Sequence, residues 1–335
     1  MSITPSTPRI DTIETETTHA YNRPTTNYLI NGALDFWQRG DGKTLSTSAG
    51  TYIADRFRGE AAGSSAYTCT KITDVPNSKF SNAMHVAQVG VGSGYTAFAA
   101  QILEASTVAP LIGREVTFSV WARGTNPATL RVRYPDALNS WANRVHLYNE
   151  VVTTGSLELD SVTWTRLSVT FTVPEGCVNG MGVILAVVTT GQGDWFDATG
   201  FQLETGSSAT EFVRAGGTLT GELALCQRYY ETCLDVNAPI GSVSTNYAFC
   251  QHTGSSNRVM MQSRGSFAVT KRAAPVVQIY SGANANGIGL YNSSTVLLTS
   301  TAVSMDTLGI HFITVTTTPT AGTLYACNWA ADAEL

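Results

Sequence analysis

The chain has 335 residues, 43% of them hydrophobic and only 13% charged, and a formal net charge of −5. That length exceeds the usual single domain and is enough to bury a sizeable core, while the mild acidity, without a long Lys/Arg run, excludes a basic phosphate-binding face and with it nucleic acid as a partner. No stretch approaches the ~18 consecutive apolar residues of a membrane helix, so insertion into a membrane is not expected.

A soluble protein is on average roughly 25% charged. The shortfall here, with abundant Thr, Ser, Gly and Val, favours pleated sheets and tight turns and makes all-β the leading class. The six cysteines, Cys69, Cys177, Cys226, Cys233, Cys250 and Cys327, include no CxxC pair. Zinc and thioredoxin-type chemistry therefore lack their spacing. Free, buried thiols are expected, with disulfides open to a chain that later meets an oxidising medium.

Residues 1–27 contain Pro5, Pro8 and Pro24 with many Thr and Ser and little apolar periodicity. They describe an extended N-terminal docking arm that gains order on a neighbour, through Ile10, Ile13 and Tyr21; a solvated tail is the alternative. The segment has no basic start, apolar core or small-residue cleavage site, so the product is expected to be made in a cytoplasm.

From Tyr28 onward, segments alternate at period two. In 116–123, Val116, Phe118, Val120 and Ala122 share one face, opposite Thr117, Ser119, Trp121 and Arg123. Leu130, Val132 and Tyr134 oppose Arg131 and Arg133, and 166–173 repeats the rule with Leu167, Val169, Phe171 and Val173 inward. The run 181–188 is continuously apolar, as expected of a strand covered on both faces. A Gly/Thr hinge at 216–221 precedes 222–233, the one segment with helical propensity, with Thr220 placed as its cap and Glu222 in its first turn. Strand texture returns over 259–270, 276–280, 296–301, 310–316 and 324–329. Short strands between Gly-rich turns predict a jelly-roll β-sandwich over 28–215, and a helix plus a small β-sandwich distal domain over 216–335. No internal repeat argues for a solenoid or propeller.

Three ordered segments carry a resemblance: the run from Asn27 to Gly40 (NYLINGALDFWQRG), that from Tyr52 to Phe57 (YIADRF), and Gly200 to Gly206 (GFQLETG) continuing through ATEFVR at 209–214 to LCQRYYE at 225–231. Together they resemble bacteriophage tail-fibre and receptor-binding virion proteins that carry a carbohydrate-binding-module-like jelly roll. The likeness spans about 27–233, and the last hundred residues match more loosely, through FAVTKRAAP at 267–275. It implies a structural virion protein that attaches the particle to host surface polysaccharide and assembles with itself as a homotrimer; the arm, which carries no motif of the family, is expected to dock on other virion proteins. Two other functions compete: a capsid decoration or tail adaptor protein with purely protein contacts, and a polysaccharide depolymerase.

Residue by residue the motifs read as structural. Asn31-Gly32 is a turn dipeptide, Phe36 and Trp37 anchor one end of a core, and Asp55 with Arg56 forms a partly buried ion pair or backbone clamp. Arg228, Tyr229 and Tyr230 fall on the helix.

Enzymatic chemistry is unsupported, so no catalytic residue is assigned. The histidines lie far apart, no GxSxG elbow is present, and Gly90–Gly94 and 282–289 read as loop tips rather than phosphate cradles. Asp194, Asp197 and Glu204 cluster in 192–204, where loop and strand roles compete with a carboxylate pair. The resemblance also implies a structural calcium, for which Asp194 or Asp197 would supply a ligand; no other cofactor is expected. For sugar binding the candidates are Trp121 and Arg123 with Arg131 and Arg133, read as one Trp/Arg surface, and Trp141. The competing reading has Trp121 covered by a loop or another subunit. Trp164 reads as core or rim packing.

Overall fold

A computed structural model of the chain describes residues 26–45, 50–63, 66–141, 145–236, 238, 248–252, 256–280, 290–291, 297–298, 300–316 and 318–335. The expected docking arm, apart from Thr26 and Asn27, and the glycine-rich stretch 282–289 lie outside these residues.

The protein is all-β with short helices. Twelve strands precede the helix over 219–227: β1 Gly42–Leu45, β2 Thr51–Tyr52, β3 Phe57–Ala62, β4 Tyr67–Ile72, β5 Ala83–Gln88, β6 Tyr95–Leu103, β7 Glu115–Gly124, β8 Ala128–Tyr134, β9 Asn149–Thr153, β10 Thr165–Thr172, β11 Met181–Thr189 and β12 Trp195–Thr205. They form two six-stranded antiparallel sheets, a front sheet ordered β1-β4-β5-β12-β7-β10 and a back sheet ordered β2-β3-β6-β11-β8-β9. The alternation seen in the sequence is the sandwich interior: Val116, Phe118, Val120 and Ala122 of β7 join Leu130 and Val132 of β8 and Val183, Leu185 and Val187 of β11 in one core. β11 is apolar throughout because its other face is also covered. Ile184 and Ala186 meet Phe98, Trp141 and Val145 in a second small core on the outer side of the back sheet.

The segment before β1 clamps the sandwich. Asn27, 2% exposed, donates its amide to the carbonyls of Phe201 and Val213 and accepts from the N–H groups of Leu29 and Leu203. Asn31 sits in the left-handed region (φ 61°) that Asn tolerates. Its amide donates to Phe36 O and Asp55 O, and its Oδ1 accepts from Phe36 N. Gly32 is required by space, because a Cβ there would stand 2.1 Å from Phe201 O.

The helix begins earlier than expected. α1, Ala105–Val108, is a single turn after β6; α2 spans Leu219–Gln227 and is capped by Thr218, whose hydroxyl accepts from Gly221 N at 3.1 Å, rather than by Thr220. Arg228, Tyr229 and Tyr230 lie beyond its end, and Tyr230 opens a strand. Helical spacing is a poor guide here because residues 230–232 are taken up by backbone pairing with a distant strand. The expected hinge is stitched to that helix: the buried Glu222 accepts from the N–H groups of Gly216 and Asn31.

Among the described residues nine further strands follow: β13 Tyr230–Thr232, β14 Ala248–Gln251, β15 Arg258–Met261, β16 Val276–Tyr280, β17 Leu290–Tyr291, β18 Leu297–Leu298, β19 Ser300–Met305, β20 Ile310–Val315 and β21 Leu324–Asp332. The long β21 links them, pairing with β14 and β17 along its first half and with β13 and β16 along its second. Their core, centred on Ile279, Ile313, Cys327 and Trp329, is separate from that of the sandwich. All six cysteines are free and buried.

A buried ionic seam joins the two parts. Asp55 and Arg56 are both buried, but they do not pair with each other. Arg39 bonds Asp55, Asp332 and Glu334, while Arg56 pairs with Glu334 and donates to Ile102 O at 2.6 Å. Burial, partly offset by Arg39 and Gln38, raises the Asp55 carboxyl to about 6.

Candidate functional site

The front sheet turns a polar and aromatic face outward. Antiparallel register aligns Thr70 of β4, His85 of β5, Asp197 of β12 and Arg123 of β7 in one row across it. Asp197, 1% exposed, is the hub: Oδ1 bonds His85 Nδ1 at 2.7 Å and Oδ2 accepts from Arg123 Nε at 2.8 Å. Arg123 reaches on to Asp74, 2.6 Å away on the loop before β5. Burial alone would lower the Arg123 pKa, but its bonds to Asp197 and Asp74 hold it above the ordinary value.

Two half-buried indoles border this row. Trp195, the first residue of β12, lies 5.5 Å from the His85 ring. The Arg123 guanidinium sits 4.9 Å from the centre of Trp164, on the segment before β10, and 5.8 Å from that of Trp195. Trp164 Nε1 and Arg166 Nε are buried polar atoms without a hydrogen-bond partner. With Nδ1 committed to Asp197, His85 turns its remaining nitrogen away from that bond, and the His85 and Asp74 side chains are 33% and 62% exposed. The face thus offers ring surfaces beside fixed donors and acceptors, a combination that fits a ligand with apolar faces and a hydroxyl rim.

The single Trp/Arg surface expected from the sequence divides here between the two sheets. Trp121 and Arg123 are on β7 of the front sheet, whereas Arg131 and Arg133 are on β8 of the back sheet, so they do not form one surface. Strand parity fixes which face a side chain takes, not which sheet its strand joins. Trp121 does point outward but is packed with Ala33, Phe80 and Phe212 in a small cluster, covered by loops as the competing reading held. Its indole and Phe80 approach Gly200 (φ 66°), where a Cβ would come within 2.9 Å of either ring. Arg133 is buried and bonded to Glu150 at 2.7 Å; Arg131 lies 5.6 Å from the Phe98 ring. Trp141 is a core residue of the back sheet, 4% exposed, and is corrected as a ligand platform.

Asp194 and Asp197 do not fit a calcium site. Asp194 accepts from Thr190 N, Thr190 Oγ1 and Gly191 N, which fastens the loop before β12, and although burial works the other way these bonds hold its carboxyl below the usual range. Asp197 spends its oxygens on His85 and Arg123. Among the described residues no cluster of His, Cys, Asp or Glu has the arrangement of a metal site. Glu204 is buried and accepts from Thr210 and Gln202 in the strand-to-loop junction.

Trp195, His85 and Asp74 are not singled out by the sequence. The local signal is present, since Trp195 and Asp197 share a parity in 192–204, but their meeting with His85 and Arg123 requires the long-range order β5-β12-β7.

No protein-family model matches the chain, and no curated protein matches it in sequence. Among solved structures it is similar to the enzymatically active domain of tailspike protein 4 of bacteriophage CBA120, at 17% identity and a TM-score of 0.36 over 53% of this chain and 21% of that one. The chain thus spans about a fifth of that tailspike's length. It is also similar to the TmCBM61 module solved with β-1,4-galactotriose (12% identity, TM-score 0.32, 54% of this chain and 99% of that one). A third is the C-terminal family 22 carbohydrate-binding module of Clostridium thermocellum Xyn10B (17% identity, TM-score 0.32, 46% and 88%).

Proposed function

We propose that the chain is a non-catalytic attachment protein of a bacteriophage particle, a tail fibre or receptor-binding protein that holds host surface polysaccharide on the outer face of its front sheet. The observation that carries this reading is the row His85–Asp197–Arg123 set between Trp195 and Trp164. The indole faces take the apolar face of a sugar ring, and His85, Arg123 and Asp74 bond its hydroxyls. Pre-paired side chains keep that geometry without ligand, which lowers the ordering cost of binding. The virion setting and trimeric assembly rest on the resemblance of the 27–233 motifs, and the docking arm on the composition of residues 1–27. No chemical step is assigned in this reading, in which both carboxylates of the row, Asp197 and Asp74, are engaged by the Arg123 guanidinium.

The test is saturable binding of the purified chain to intact host cells and to their extracted surface polysaccharide, with reducing sugar measured in parallel. Binding without sugar release is the expected result. Release of reducing ends would make the protein a depolymerase, and absence of binding by a folded oligomer would favour an adaptor or decoration role.

A further inference from the structure

A cavity of about 680 Å³ opens at the seam between the sandwich edge and the distal strands, within the usual size of small-molecule sites. It is built by register. β13, β16 and β21 align Tyr230, Asp332 and Val276 in one row and Ala330 with Gln278 in the next, while the sandwich edge contributes Lys43 of β1 and Tyr52 of β2. Tyr52, Tyr230 and Tyr280 give it aromatic walls, and Arg39 lies 3.6 Å above the Tyr230 ring.

The polar groups around this cavity are unevenly used. Its carboxylates and amide oxygen are already engaged, since Asp332 and Glu334 hold Arg39 and Gln278 Oε1 accepts from Tyr280, while the Tyr52 hydroxyl is used as a donor to Leu335 O. Among the described residues the lining groups without a protein partner are two donors, the Lys43 ammonium and the Gln278 amide nitrogen, and the hydroxyls of Tyr230 and Thr51, which can donate or accept. Tyr230 is only 6% exposed as a residue, so its ring is a fixed wall of the cavity. The charged lining residues are two cations, Arg39 and Lys43, and two carboxylates, Asp332 and Glu334, and both carboxylates are paired with Arg39, which leaves the Lys43 ammonium as the cation outside those pairs.

We infer that this seam cavity binds a sugar bearing a carboxylate, its ring against the tyrosines and its carboxylate on Lys43. The inference rests on the saccharide reading above only for the class of ligand; the site and its residues are separate from the front sheet. Calorimetric titration of the full chain with glucuronate, glucose and acetate tests it. Glucuronate is expected to bind at least tenfold tighter than either of the others, because only it pairs a stacking ring with a charge-assisted bond. Lys43→Ala and Lys43→Gln, at a half-exposed edge position, are expected to lose tenfold or more of that affinity, and Tyr280→Ala a comparable amount. Trp195→Ala should leave it unchanged while weakening polysaccharide binding, so that failure of either site is read separately. Glucuronate binding no tighter than glucose or acetate, or undiminished in folded Lys43→Gln, would overturn the inference.

Discussion

Asn27 opens the longest recognisable motif in the chain, and its role in the structure is mechanical. Replacing it by Ala removes four hydrogen bonds, two donated to Phe201 O and Val213 O and two accepted from Leu29 N and Leu203 N. Three of the four are buried, so water cannot restore them. Leaving a buried backbone group unsatisfied costs about 1–3 kcal/mol, and allowing for some relaxation the total is about 3–5 kcal/mol. Urea unfolding followed by tryptophan fluorescence reads this as a lower midpoint at unchanged slope. Asn27→Asp keeps both acceptor bonds but turns a buried carboxylate oxygen toward two carbonyl oxygens, so it too should be clearly less stable than wild type. A loss below about 1 kcal/mol for Asn27→Ala would refute the clamp. So would loss of polysaccharide binding by a variant still fully folded.

Gly32→Ala places a methyl against Phe201 O and, since the obstacle is backbone, should destabilise by about 1–3 kcal/mol on the same denaturation assay. Trp141→Ala empties a buried position of the back-sheet core and should cost about 3–5 kcal/mol while leaving polysaccharide affinity unchanged; a specific loss of binding would restore it as a ligand contact. Asp55 predicts a pH effect of defined sign. Its folded pKa of about 6 lies above the ordinary 3.8, so the unfolded chain releases the proton first and this group's contribution to stability falls as pH rises from about 4 to about 6. The distance between 3.8 and about 6 corresponds to about 3 kcal/mol. The stability of wild type relative to Asp55→Asn should therefore decline by about that amount between pH 4 and pH 7, and a difference that is flat or grows with pH would contradict the assignment.

Much of the sandwich is legible in the sequence because its strands obey a period of two with one face buried. The inward sets of β7, β10 and β11 need no knowledge of their partners. Pairing order is a different kind of information. Trp121 and Arg131 look equivalent along the chain, yet the crossover from β7 to β8 sends them to opposite sheets. The helix is misplaced by its spacing for a related reason, since residues 230–232 continue the helical pattern of α2 but gain more by pairing with β21. The carboxylates of 192–204 have the look of ligands or acids, whereas folding occupies each with a local donor or a distant cation. What the segment contributes to the candidate site is its indole, Trp195, which becomes significant only when β5 supplies His85 alongside.

The front face is where attachment is tested most directly. Affinity for extracted host polysaccharide, measured by titration for wild type, Trp195→Ala and Trp164→Ala at matched folding, should fall at least tenfold in each variant, about 1.4 kcal/mol, with no release of reducing sugar. Wild-type affinity in both variants would contradict the claim that this row of His85, Asp197 and Arg123 between two indoles is the binding site.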